Sequence, residues 1–534
     1  MSRWLARLPL GWAILFWALF VALPLGAMCL DTVREPDGFG LSAWGGILAD
    51  PVDRLRLIYS LGLGLVATSV AFLLGFGHAW VTHQSDLPGA SVLGPLGVAP
   101  LVIPPILVAM GFADLAPVSG FWACAFLLGV SHAPFVAVMT ARGLRTMDGS
   151  HYEAAWIARG RRAADRLLFR TILPEVGCGC LLAFILVISE HGVPEFLTVK
   201  GKTWHTYAEG IFARWTRRAT GVAHEDFVGP VVAAIPLLLI VMVALFCALR
   251  LRAHTSVSGE SRPLPRRRFG RLRWLALGLP VFYLASGVGV PVLVMGLWAA
   301  GSTVVSEPMG FGVLLESFRT AAREAGPDLG YTIAVAAGAT LLLLLVTLPL
   351  ARLAARRLPS VDYLSVLPIA VPAILLAIGL VKVYNHPLVV RSYGVLGDFY
   401  DSPGIVACAY AARFLPFGVL TMSHATRRIS RSLEEAALLT GRGPLSRAFG
   451  IHLPLLLPAA WSAACMIFVL ALRELDVAVV LPAGNGTVVR RLSNIVHFGG
   501  ENMGGALALL LLVAGVLIPL LTILLTGRKL RSLS

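Results

Sequence analysis

Charge is scarce in this sequence. Only 14% of its 534 residues are Asp, Glu, Lys or Arg, and 57% are apolar, where a soluble domain carries about a quarter charged. A water-soluble globule is excluded. Cysteine is also sparse: Cys29, Cys124, Cys178, Cys180, Cys247, Cys408 and Cys465 all lie in or beside apolar runs. That pattern speaks against a disulfide framework, and Cys178 with Cys180 is two ligands short of a zinc site; packed thiols are the expected state, with no metal bound. No G-x-S-x-G or H-E-x-x-H occurs. Gly201-Lys202-Thr203 has the ending of a phosphate-binding loop, but Phe196 stands where that loop needs glycine, so no ATP site and no cofactor are expected on this chain. Asn485-Gly486-Thr487 matches a glycosylation acceptor.

What the sequence has is long apolar stretches, each near the 20 residues needed to span a hydrocarbon core. Twelve can be drawn: 11–30, 58–80, 90–112, 119–140, 177–198, 228–250, 274–298, 329–351, 361–383, 403–423, 457–481 and 505–526. The first follows Arg3 and Arg7 but exceeds the usual apolar core of a cleaved signal, so a retained span is expected. The fold class is therefore an all-α polytopic membrane protein of about twelve helices.

The net charge of +15 is distributed in a way that argues against nucleic acid. Arginines gather at 142–170, 250–273, 352–357, 427–447 and 528–531, segments that twelve spans place on one side with the N-terminus. Positive charge marks the cytoplasmic side, so both termini are expected there. The opposite segments, 31–57, 199–227, 299–328, 384–402 and 482–504, are longer and mixed in charge, with Asp31, Glu35, Asp37, Asp50 and Asp53 among them.

The chain also repeats itself. VAPLVIPPILVAMGF from Val98 aligns with VLPIAVPAILLAIGL from Val366, pairing Pro100 with Pro368, Pro104 with Pro372 and Gly111 with Gly379. Tyr59 and Thr68 match Tyr331 and Thr340, and Pro134-Phe135 matches Pro416-Phe417. Prolines break helical hydrogen bonding at equivalent depths, which a span tolerates only where neighbours satisfy the freed groups. Two six-span bundles about a pseudo-twofold axis are implied, residues 1–252 and 274–534, joined by a polar, basic linker at 253–273 that reads as a solvated segment beside anionic lipid.

Two polar loops are copies of one another, at 149–176 and 431–458. Ser150 to Glu153 and Ser432 to Glu435 are both S-x-x-E, the spacing of a capping box that opens a helix. Gly160 and Gly441 stand where a left-handed residue would end it after roughly 12 to 14 Å. Pro174 and Pro454 suit the first turn of the next span. The pairs Ala154-Ala155 and Ala436-Ala437 leave a low surface that another protein can approach.

The second copy, Glu435-Ala436-Ala437, then Gly441, then Ile451-x-Leu453-Pro454, resembles the EAA loop of ABC importer permeases. The first copy departs from that spacing: four residues separate Ala155 from Gly160, and Ile172-Leu173-Pro174 lacks the spacer. A Gly160→Asp change is accordingly expected to be milder than Gly441→Asp. The resemblance implies that Ser150, Glu153, Ala154, Ala155 and Gly160, with Ser432, Glu435, Ala436, Ala437 and Gly441, form coupling helices for a separate cytoplasmic ATPase dimer, which alone uses ATP. It implies an extracytoplasmic substrate-binding protein as second partner and the bacterial inner membrane as location. A fused chain of two halves most resembles permeases for ferric iron, thiamine and 2-aminoethylphosphonate, and LRELDVAVVLPAGNGTVVRRLSNIVHFG from Leu472 resembles the ferric branch. A secondary transporter also has internal repeats and intramembrane acids, but has no use for two EAA loops.

Acidic residues at membrane depth complete the reading. Glu190 with His191 and Glu474 with Asp476 occupy matching places after the two loops. Such groups usually face a bundle interior or a pathway. Two readings stay open: the glutamates border one central route, or Glu474 pairs with Arg473 or another base such as Arg413 while Glu190 caps the break before Pro194.

Overall fold

The computed structural model describes residues 8–531 apart from 36–37, 41–43, 46–48, 117, 200–203, 220–227, 254–261, 302–309, 357–359, 388, 390–395, 442, 483–485 and 499–500. The loop-like Gly201-Lys202-Thr203, Asn485 and the first part of the linker lie outside the described residues.

Among the described residues the regular structure is helical apart from one two-residue strand pair, Arg34–Glu35 with Gly38–Phe39. Among the described residues ten helices are long and apolar enough to span, including Pro51–Gln84, Gly120–Arg145, Arg161–Ser189, Gly326–Ala355 and Pro403–Arg428. The expected third and ninth spans are not straight. Ala90–Val102 and Pro105–Leu115 meet at 92°, and Leu364–Ala370 and Ala373–Tyr384 at 105°. The breaks fall at Pro104 and Pro372, which have no N–H to donate and sit extended at the start of the second helix. The first broken pair still carries the chain across. Gly94 lies against His83 near one face, and beyond the bend Asp114 accepts a 3.1 Å hydrogen bond from Trp298 Nε1 at the far end of the seventh span.

Each half is built on one close helix crossing, Pro51–Gln84 on Gly120–Thr146 and Gly326–Arg356 on Pro403–Arg428. A Cβ on Gly75 would fall 2.3 Å from the Ala133 carbonyl. Small residues permit this approach where lipid gives helices no hydrophobic reason to associate. At the face away from the basic loops both halves carry the same clasp. Arg214 binds Asp53 at 2.5 Å and Arg491 binds Asp328 at 2.6 Å. The Tyr207 amide donates to Ser60 Oγ at 2.8 Å, and the Val488 amide to Thr332 Oγ1 at 2.9 Å.

The halves are not independent bundles, because each lends its first span to the other. In the first span Trp17 Nε1 donates to the Leu364 carbonyl at 3.2 Å, and Asp31 pairs with Lys382. In the seventh span Tyr283 donates to the Gly97 carbonyl at 2.8 Å, and Pro291 packs on Gly111. Gly111 and Gly379, matched in sequence, both receive such a borrowed helix, Gly379 meeting Pro24 and Met28.

The linker is not simply solvated. From Arg262 to Phe269 it lies along the first half: the Gly149 amide donates to the Arg262 carbonyl at 2.9 Å, the Arg262 amide to Asp148 Oδ1 at 3.2 Å, and the Phe269 amide to Asp86 Oδ1 at 3.0 Å. Arg267 pairs with Asp165 and stacks on Trp80. Arg267 finds a fixed carboxylate here while Arg262, Arg266, Arg268 and Arg271 stay exposed, so the stretch is solvated along most of its arginines but pinned to the first half.

Candidate functional site

Two regions unite residues from both halves: the paired loop helices on the basic face and a chain of cavities along the pseudo-twofold axis.

The loop helices run Gly149–Arg159 and Arg431–Leu439. Neither begins with the expected capping box. The first is capped by Asp148, whose carboxylate accepts from the Ser150 amide at 3.0 Å and the Ser150 hydroxyl at 2.6 Å; these bonds hold that carboxyl below its ordinary range. The second is capped by Ser430, which accepts from the Leu433 amide at 3.4 Å. Both caps therefore lie two residues upstream of Ser150 and Ser432, and the helices start one residue upstream of them, since an acceptor placed earlier meets the orphan amides first. Glu153 and Glu435 are left exposed, as are Ala154 and Ala436, while Ala155 is half-buried and Ala437 buried.

The ends are as expected for glycine. Gly160 has φ +77° and ψ 172°, and Gly441 has φ +70°. The first combination is one that essentially only glycine adopts, so the backbone gives no reason for Gly160→Asp to be the milder change. Neither proline opens its helix: Pro174 lies inside Arg161–Ser189, because that helix begins directly after Gly160, and Pro454 follows a π-helical turn, Ala448–His452, that runs without a break into Leu453–Leu472. At the tips Ile157 is 88% and Leu439 89% exposed, an unusual state for aliphatic side chains on polar helices.

Along the axis, a small cavity of about 40 Å³ is lined by Glu190, His132 and Phe135 of the first half and by Arg413, Phe417, Arg473, Glu474 and Asp476 of the second. The structure thus brings Glu190, Glu474 and Asp476 to one place, with His191 beside them. It also separates their roles. Glu474 forms an ion pair with Arg413 and accepts from the Val477 amide at 3.1 Å. Asp476 lies 2.7 Å from His191 Nδ1 and 3.6 Å from Arg413 Nη2, tying the halves together. Arg473 is not the partner of Glu474, since its Nη1 donates to the Leu101 carbonyl at 3.0 Å, just ahead of the bend at Pro104. Glu190 makes no ion pair among the described residues and is half-buried at the cavity wall. Its isolation is a consequence of the repeat: at the spacing that pairs Pro134 with Pro416, Ser131 stands where the second half has Arg413.

Below this cavity the matched Phe135 and Phe417 meet, ring centroids 5.9 Å apart. One turn further along the same helices, Val138 and Thr421 line a second cavity of about 720 Å³, open to both halves and lying toward the basic loops. The phenylalanine pair therefore stands between a small upper pocket and a roomy lower one. Pro134-Phe135 matches Pro416-Phe417 in sequence, but nothing in the pattern says that the rings touch across an axis.

The family described as "Binding-protein-dependent transport system inner membrane component" matches residues 86–256 and again 348–529, so each half carries one copy. Among curated relatives, the chain is 23% identical over 489 residues to the Fe(3+)-transport system permease protein FbpB 2 of Haemophilus influenzae, covering 90% of this chain and 91% of that protein. It is 21% identical over 463 residues to the ferric transport system permease protein FbpB of Actinobacillus pleuropneumoniae, covering 78% and 63%.

Proposed function

Because this chain belongs to the family of binding-protein-dependent transport system inner membrane components, we propose that it forms the whole membrane pathway of an ABC importer for ferric iron. The chain is a multi-pass inner-membrane transport subunit with the family domain present twice. The ferric cargo is supported by relatives named for that ion along nearly the full chain. ATP hydrolysis belongs to a separate ATPase dimer and cargo delivery to an extracytoplasmic binding protein. No cofactor is needed on this chain.

The observation that carries the reading is the pair of loop helices, one per half, each presenting an exposed Glu, a small-residue flank and an exposed aliphatic tip. Ile157 and Leu439 seated in clefts of an ATPase dimer would each contribute about 1.5–3 kcal/mol of burial, and two equivalent sites suit a dimer. The test is ATP-driven uptake of ⁵⁵Fe by proteoliposomes holding this chain, its ATPase and a loaded binding protein. Gly441→Asp, and to a lesser degree Glu435→Ala, should lower that uptake at least tenfold with normal amounts of protein in the membrane. Wild-type uptake by both variants would remove the coupling role.

In this reading both termini and the segments 141–176 and 424–456 are cytoplasmic, which the arginine distribution supports. An impermeant thiol reagent applied to intact spheroplasts should leave cysteines introduced at Ser150 or Ser432 unmodified and react after lysis. Modification before lysis would invert the topology.

A further inference from the structure

The larger cavity has a lining that a cation channel would not be given. Arg142 and Arg145 reach it from the first half and Arg428 from the second, with His78, His83 and His424 beside them, and no carboxylate lines it. Arg142 and His424 are repeat equivalents at the spacing that pairs Pro134 with Pro416, so the basic character recurs on both sides of the axis. The acid that approaches Arg142 is Glu175, itself buried, with Oε1 3.7 Å from Arg142 Nε. That leaves Arg142 Nη2, a buried guanidinium nitrogen without a hydrogen-bond partner among the described residues. Arg145 Nη2 lies 3.1 Å from His83 Nε2, which requires that imidazole to accept and so to be uncharged.

With three guanidiniums and no carboxylate in its lining among the described residues, the chamber is positive inside low-dielectric walls, where charge is screened far less than in water. Topological arginines sit at the ends of spans and need not bury a donor in a cavity. A bare trivalent cation meets repulsion here three times that felt by a monovalent one. An oxyanion meets convergent donors of the planar, forked kind that bind phosphate and carboxylate.

We infer that this cavity is an oxyanion site, and that the cargo passes through it as an anionic complex, the metal still held by phosphate or a polycarboxylate. The cargo half of this statement rests on the ferric reading above; the anion site does not.

The purified complex of this chain with its ATPase, in nanodiscs of zwitterionic lipid, should bind inorganic phosphate by calorimetry. Arg142→Gln with Arg428→Gln should weaken that binding at least tenfold, and the Lys versions should retain most of it. Size-exclusion of the complex identifies a variant that has failed to fold, and the Lys versions then carry the test. In proteoliposomes, ⁵⁵Fe uptake should be accompanied by ³²P-phosphate when the binding protein is loaded with both. Absence of phosphate binding, binding unchanged in the Gln variant, or a calorimetric signal confined to discs containing phosphatidylglycerol would each overturn the site. Iron uptake without any accompanying anion would overturn the cargo statement. Phosphate binding in a complex that takes up no iron would leave the anion site standing and remove the ferric reading instead.

Discussion

Arg413→Gln is expected to be the most damaging single change at the axis, costing about 3–5 kcal/mol, the range for breaking a buried ion pair and leaving its partner uncompensated. Arg413 faces two carboxylates: Glu474 is 6% and Asp476 3% exposed, and both lie within ion-pair reach of its guanidinium. Removing the arginine strands both. Removing one acid strands less, since Arg413 keeps the other and Asp476 keeps His191 at 2.7 Å. The order of damage should therefore be Arg413→Gln, then Asp476→Asn, which frees the inter-half contact, then Glu474→Gln. The measurement is the yield of monodisperse protein from membranes and its thermal midpoint. Adding Glu474→Gln to Arg413→Gln should recover part of the loss, whereas a change at Arg473 should not, because Arg473 is engaged with the Leu101 carbonyl. Full yield of Arg413→Gln would mean the pair is solvated and the cavity open to bulk water. Glu190→Gln, outside this network, should leave yield unchanged, so any slowing of uptake by that variant reports on the route itself.

The contrast between Glu190 and Glu474 shows what the sequence could reveal. Both were visible as ionisable residues at matching places, because a charge inside an apolar run stands out against its neighbours. Their difference was not, since it depends on residue 413, which is 61 positions away from Glu474 and has Ser131 as its counterpart. Span number was legible for a similar reason: lipid demands unbroken apolar length, and that is written locally. The right-angle breaks were half legible. Pro104 and Pro372 announce lost hydrogen bonds, but the angle that follows is set by neighbours such as Pro291 on Gly111, and these come from the borrowed spans. Nothing local marks a first span that crosses to the other half. The capping box misled because S-x-x-E satisfies a pattern that Asp148 and Ser430 satisfy two residues earlier, and only the observed amide contacts decide between them. The linker's attachment was hidden because nothing local tells that the Arg267 side chain meets Asp165 and the Arg262 amide meets Asp148, while the arginines around them stay exposed.

Replacing Phe135 and Phe417 together by alanine should make the resting permease leak. The rings are 6% and 8% exposed, meet at 5.9 Å, and part a cavity of about 40 Å³ from one of about 720 Å³. Because they are repeat equivalents on helices that each carry a proline beside the ring, Pro134 and Pro416, a symmetric outward movement of the two helices would separate them. An aromatic pair contributes about 0.5–1.5 kcal/mol beyond its buried area. Its loss alone would raise the population of an open constriction by roughly 2- to 12-fold. Removing two benzyl groups also deletes the physical plug, so the double variant should exceed that range and each single variant should fall within it. The readout is passive efflux of a small trapped ion from proteoliposomes containing the permease with its ATPase and no nucleotide. The same variants should lose the dependence of iron uptake on ATP while folding normally, since both side chains face cavity on one side and leave a void that is already partly present. If the double variant is as tight as wild type, closure resides instead in the bent pairs at Pro104 and Pro372, and Phe135 and Phe417 are packing that the route passes by.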